Sequence, residues 1–145
     1  MDGEAERRGN RESIRQKAKG KMEKKGKEFL DIRERAFAFA VRIIRLCQFL
    51  EKHSNVSKTL IHQLLNAGTS VGANLEEAQS GQGKPDFIHQ NAIALKEARE
   101  TNYWLRLIPA TADLDEKITI GIDELITESA EIKKVIGSII VSAKK

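Results

Sequence analysis

Residues 63–77 read QLLNAGTSVGANLEE, and the helix they form sets the architecture of the rest. Their apolar positions belong to a row, Leu60, Leu64, Ala67, Val71, Leu75 and Ala78, spaced by 4, 3, 4, 4 and 3 residues, the one-sided period of a helix against a core. Gly68 and Gly72 fall in the middle of that helix, where each glycine costs roughly 1 kcal/mol against alanine. Two of them four residues apart, with Ala73 alongside, predict a helix thinned for the close approach of a neighbouring backbone. Gly68, Gly72 and Ala73 are therefore the expected close-packing residues.

Working outward, this helix spans about 57–79. Before it, residues 28–52 carry the inner row Ala36, Ala40, Ile43, Cys47 and Leu50, widened by Phe37, Val41 and Ile44. Phe39, Leu46 and Phe49 fall partly outside that seam, so this helix has more apolar surface than one core needs. Either it tolerates exposed apolar side chains or a second face meets another subunit. Between the two helices, His53 to Val56 is a break, with Ser54, Asn55 or Ser57 as the next N-cap. After residue 79, SGQGKPD punctuates the chain, and Pro85 suits the first turn of a third helix. That helix spans about 85–107 on the row Phe87, Asn91, Ala94, Ala98, Thr101 and Leu105, and Pro109 closes it. Residues 110–121 read as a loop with a short turn. A fourth helix over about 122–143 presents Leu125, Ser129, Ile132, Ile136 and Ile139. The expected fold is all-α, an antiparallel up-down four-helix bundle.

Composition agrees. A chain of 145 residues with 40% hydrophobic and 32% charged content is one domain with a core of useful size. The single Cys47 excludes a disulfide framework, and no apolar run is long enough to span a bilayer, so a cytoplasmic protein is expected. The net charge of +4 is uneven. Residues 1–27 hold ten Lys/Arg against five Asp/Glu, a net +5, and the remainder fifteen against sixteen, a net −1. The first 27 residues read as a basic tail, disordered or a frayed helix. Met22, ahead of EKKGKEFLDIRERAF, is an alternative start for the folded part, which N-terminal sequencing of the native protein tests.

The stretch 63–77, then Phe87 after a glycine-rich turn, then IALKEARETNYWL over 93–105, resembles the four-helix-bundle proteins encoded within intervening sequences of bacterial 23S ribosomal RNA genes. The resemblance runs over about 29–143, with its specific motifs in the second and third helices. It implies a left-handed bundle, a ring-shaped homopentamer and no established enzymatic activity or cofactor. The accessory variability determinant of diversity-generating retroelements is similar in fold and is a basic pentamer that binds nucleic acid and a reverse transcriptase. Here the bundle carries a net −1, without the broad positive surface such binding requires.

Several constellations bear on chemistry. Gln63, Ser70, Asn74 and Glu77 share one helix face, and Glu100 on the third helix is placed to meet them. Such a set is either a buried hydrogen-bonded network fixing register or the lining of a small-molecule or metal pocket. A dinuclear carboxylate site needs Glu-x-x-His on two helices, and only Asp86-x-x-His89 comes near, so no metal site is expected. Cys47 is expected in the core as a packing group, Ser70 lacks a His–Asp pair, and Gly81-Gln82-Gly83-Lys84 lacks the spacing of a phosphate-binding loop. No catalytic residue is assigned. Phe39, Phe49, Tyr103 and Trp104 are the expected subunit-interface residues. Arg7, Arg8, Arg11, Lys24, Lys25, Arg99 and Arg106 are the candidate nucleic-acid contacts. The expected function is that of a non-enzymatic, self-associating interaction module. The alternative is a nucleic-acid-binding accessory factor, working with a protein partner such as a reverse transcriptase.

Overall fold

The structure, a computed structural model, describes residues 7–11 and 24–145, with side chains in the bundle from Asp31 onward. Four long helices follow one another: α1 (Lys24–His53), α2 (Lys58–Ser80), α3 (Lys84–Thr111) and α4 (Glu116–Lys144). Helices consecutive in sequence pack together, and α1 also packs on α4, closing the square. As the numbers fall along α1 they rise along α2, from Cys47 beside Ile61 to Arg33 beside Glu76, and α1 meets α4 in the same opposed sense through Arg42–Glu124 and Arg35–Glu128. The bundle is thus antiparallel and up-down.

The expected basic tail lies largely outside the described residues. Of it, residues 7–11 are helical and 24–27 open α1, four residues earlier than periodicity placed that helix. At the α1–α2 turn, Ser54 Oγ donates to Leu50 O at 2.6 Å and accepts from Val56 N at 3.2 Å, while Ser57 occupies the N-cap without a side-chain bond. Val56 is thereby turned inward as a plug at that end of the core.

Two boundaries differ from expectation. α3 runs through Pro109 to Thr111. Proline removes one amide hydrogen bond, but Ile108 is fully buried and Thr111 Oγ1 donates to Leu107 O at 2.8 Å, so the last turn holds. α4 begins at Glu116 rather than near 122, because Asp115 Oδ1 accepts from Ile118 N at 2.9 Å and caps it. The expected loop shrinks to a few residues.

The core is one apolar column. α2 contributes Ile61, Leu64, Val71, Leu75 and Ala78, α3 contributes Ala94, Ala98, Leu105 and Ile108, and α4 contributes Ile122, Leu125, Ile132, Ile136 and Ile139. Among the described residues three polar side chains, Asn91, Thr101 and Ser129, are buried with them. No helix among the described residues is long and apolar enough to cross a membrane.

Candidate functional site

The α1–α2 side of the bundle is built by the small residues of α2. A Cβ added at Gly68 would stand 2.7 Å from Ile43 Cγ2 and 3.2 Å from Ile43 Cβ, so glycine is what lets Ile43 seat. At Gly72 an added Cβ would meet Ala36 Cβ and Ala36 O at 3.6 Å, an ordinary contact. Ala73, expected to share this packing, is exposed: it lies about 100° around the helix from Gly72, on the solvent side.

Seating Ile43 against Gly68 fixes the phase of α1, and the phase differs from expectation. The inner row is Ile32, Ala36, Phe39, Ile43, Cys47 and Leu50. Phe39, expected at a subunit interface, is a core residue 2% exposed, and Ala40 is displaced to half-buried. Phe37, expected to widen the core seam, is instead 72% exposed. Ile44, one heptad on, is also exposed, with half-buried Val41 between them. An apolar row thus stands on the outside of α1. Beside it, Arg33, Glu34, Phe37 and Glu76, together with Arg11 of the 7–11 turn, line an open groove of about 550 Å³. Arg33 bonds both oxygens of Glu76, at 3.3 and 2.5 Å.

The expected buried polar network does not form. Gln63 and Glu77 are exposed, and Glu100 is half-buried. Ser70 and Asn74 are half-buried and satisfied inside their own helix, Ser70 Oγ by Asn66 O at 2.6 Å and Asn74 Nδ2 by Ser70 O at 2.8 Å. Positions recurring at 7, 4 and 3 share a face, but on α2 that face runs beside the core rather than into it. The polar bridge between helices lies elsewhere. Asn102 Nδ2 donates to Ser129 Oγ at 2.9 Å and to Ile126 O at 3.3 Å, joining α3 to α4, and Arg106 Nε donates to Asn102 Oδ1 at 2.9 Å. In the core, Asn91 Nδ2 donates to Phe87 O at 2.9 Å, while Asn91 Oδ1 has no protein partner.

On α3, Arg99, Tyr103 and Arg106 are exposed at i, i+4 and i+7, one outward stripe. The Arg106 guanidinium lies 5.5 Å from the Tyr103 ring centroid. Trp104, edge-on to Tyr103 at 5.3 Å, instead packs half-buried against the core, its Nε1 without an acceptor. Phe49 is half-buried beside the His53 ring at 5.0 Å. Of the other candidate contacts, Arg7, Arg8 and Arg11 are exposed on the 7–11 turn, and the side chains of Lys24 and Lys25 lie outside the described residues. Arg11 belongs to the α1–α2 side, whereas α3 is diagonal to α1, so these cations form no single patch.

The remaining reactive groups are restrained by their surroundings. Burial, helped by Glu51, pushes the Cys47 thiol up to about 11, and its sulfur points at Ile61 O at 3.7 Å, so it is protonated at neutral pH. Partial burial, then neighbouring Glu100, raises the Glu97 carboxyl. No three His, Cys, Asp or Glu side chains among the described residues converge as a metal site. In the turn before α3, Gln82 N donates to Asp86 Oδ2 at 3.3 Å, so the chain's own carboxylate takes the amide a phosphate cradle would use.

The chain is an all-α up-down bundle with a glycine-notched second helix and an exposed apolar row on its first. The chain belongs to the 23S rRNA-intervening sequence protein family, whose model matches residues 28–138. It is similar to a crystal structure of a protein of unknown function from the S23 ribosomal protein family of Bacteroides thetaiotaomicron. The two are 38% identical with a TM-score of 0.68, over 75% of this chain and 97% of that one. No curated protein matches the chain.

Proposed function

We propose that this protein is a non-enzymatic interaction module that works as a closed homo-oligomer, a ring of five by resemblance to its family, joined through the outer face of α1. The observation that carries this is the row Phe37, Val41 and Ile44. Phe37 is 72% exposed, and solvating a phenylalanine forgoes on the order of 2 kcal/mol of burial free energy. The α2 surface beside the row is small-sided, with half-buried Thr69 and Gly72 and exposed Ala73, a shape on which a second copy can lie closely. Light scattering on the full chain tests it. An oligomer that falls to monomer in Phe37→Glu or Ile44→Glu supports the assembly, and a wild-type monomer at high micromolar concentration would falsify it.

A second reading rests on the stripe Arg99, Tyr103 and Arg106, which offers two cations and one stacking ring on a single helix face. It makes the protein a nucleic-acid-binding accessory factor aided by the basic tail. Salt-dependent binding to single-stranded RNA or DNA, weakened by Arg99→Ala and Arg106→Ala, supports it, and no binding at about 50 mM salt removes it.

A further inference from the structure

A ring with an odd number of members cannot be closed by a self-facing contact, which only joins pairs, so each copy must offer two unlike faces. The outer row of α1 is one of them. Outside α1, the large apolar side chains exposed among the described residues are Tyr103, Ile120 and Val141. Height along the bundle separates the three. Arg35 of α1 bonds Glu128, and Asn102 of α3 bonds the adjacent Ser129, so Tyr103 stands within about a turn of the level of Phe37. Ile120 and Val141 lie nine and twelve residues from Ser129, about 14 and 18 Å along α4. Rotation about an axis along the helices preserves height, so of the three only Tyr103 comes opposite Phe37 in such a ring.

Charge makes the same choice. Over residues 31–38 and 73–80, around Phe37, the exposed charged side chains are Glu34, Glu76 and Glu77. Half-buried Arg33 partly neutralises Glu76, and Arg11 of the 7–11 turn lines the groove beside them. Over 96–106 on α3 the exposed charged side chains are Lys96, Arg99 and Arg106, while Glu97 and Glu100 are half-buried. An acid-rimmed phenylalanine thus stands on one side of the bundle, and an arginine-flanked tyrosine on the helix diagonal to α1. Ile120 has exposed Glu116 and Asp123 on its own face, the same sign as the rim of Phe37.

We infer that the stripe Arg99, Tyr103 and Arg106 of one copy docks on the Phe37 face of the next, so that copies join head to tail. This docking rests on the ring reading and supplies its second face. α1 and α3 run in the same direction in an up-down bundle, so Arg99 falls near Glu34, and Tyr103 near Phe37, of the next copy. The stripe is then covered in the assembled protein rather than open to nucleic acid.

Two measurements on the full chain test the docking. Sedimentation gives the concentration at which copies assemble. Arg99→Glu and Tyr103→Glu, both at exposed positions, are each expected to raise that midpoint at least about tenfold. A wild-type monomer overturns the ring reading and the docking with it. A wild-type oligomer broken by Phe37→Glu but unmoved by both α3 changes overturns the docking alone. The second measurement is disulfide formation under mild oxidation in chains given new cysteines, Cys47 being buried. Glu34→Cys with Arg99→Cys in one chain is expected to give a ladder of covalently linked copies, and either change alone to give none. Dimers from a single variant show a self-facing contact and overturn the docking, as does a double variant that assembles without crosslinking. Single-stranded RNA bound by the assembled protein and lost in Arg106→Ala rings overturns it too, because the stripe is then open.

Discussion

Inside the α1–α2 seam the helices meet through glycine and hydrocarbon, Gly68 under Ile43 and Gly72 beside Ala36, with the Arg33–Glu76 pair at its outer edge, whereas α3 and α4 are joined by an amide and a hydroxyl, Asn102 to Ser129. The outer surfaces divide in the same way. Beyond the first seam stand Phe37 and Ile44, and on the outside of α3 stand Arg99, Tyr103 and Arg106. The first seam fixes its register by shape, since only a missing Cβ admits Ile43. The second fixes it by pairing, since a half-buried amide left without a partner costs about 1–3 kcal/mol. One bundle therefore carries a side suited to close apolar contact and a side suited to polar contact.

The largest effect separating inside from outside on the first seam lies in two phenylalanines two residues apart. Phe39→Ala is expected to cost about 3–5 kcal/mol of unfolding free energy. Phe37→Ala is expected to stay within about 0.5 kcal/mol in monomeric protein. Urea denaturation measures both, and a large loss at Phe37 would show that the ring is covered within the protomer.

Next come the two seams themselves. Gly68→Ala forces Ile43 aside, at about 1–3 kcal/mol of overpacking against roughly 1 kcal/mol gained in helix propensity. Asn102→Ala removes the bond to Ser129, at about 1 kcal/mol. Their couplings differ in kind. Ile43→Ala relieves Gly68→Ala by more than about 0.5 kcal/mol in a double-mutant cycle, while its combination with Asn102→Ala is additive. Additivity in the first pair would mean that shape does not set the α1–α2 register.

The smallest expected effect has the opposite sign. Gly72→Ala meets Ala36 only at ordinary contact distance, so it is expected to raise stability by about 0.5–1 kcal/mol. A loss there, read from the same denaturation curves, would make Gly72 a second obligatory notch.

Much of this was legible in the chain. The inner rows of α2, α3 and α4 stand close to where their spacing puts them, because the face opposite each row is polar enough to leave one phase. α1 has no such bracket. Ala36 to Val41 are six consecutive apolar residues, so periodicity admits two phases, and only the contact with Gly68, far away in sequence, selects the one that buries Phe39 and exposes Phe37. The start of α4 was obscured by Ile118, Thr119 and Ile120, three β-branched residues, followed by Gly121. Asp115 three residues ahead of Ile118 was the available cap signal. The polar face of α2 was visible as a face but not as its depth in the bundle, which depends on how neighbouring helices cover it. The bridge of Asn102 to Ser129 joins single residues on two helices, and such pairs leave no periodic trace.

The ion pairs Arg35–Glu128 and Arg42–Glu124 link residues 93 and 82 apart in the chain, tying the earliest long element to the last. Such distant partnerships are slow to establish and come late in folding. During synthesis, the first three helices emerge as an open trough whose hydrophobic floor waits for the fourth. Until α4 is made and folds onto it, that floor is a target for chaperones and for neighbouring nascent chains.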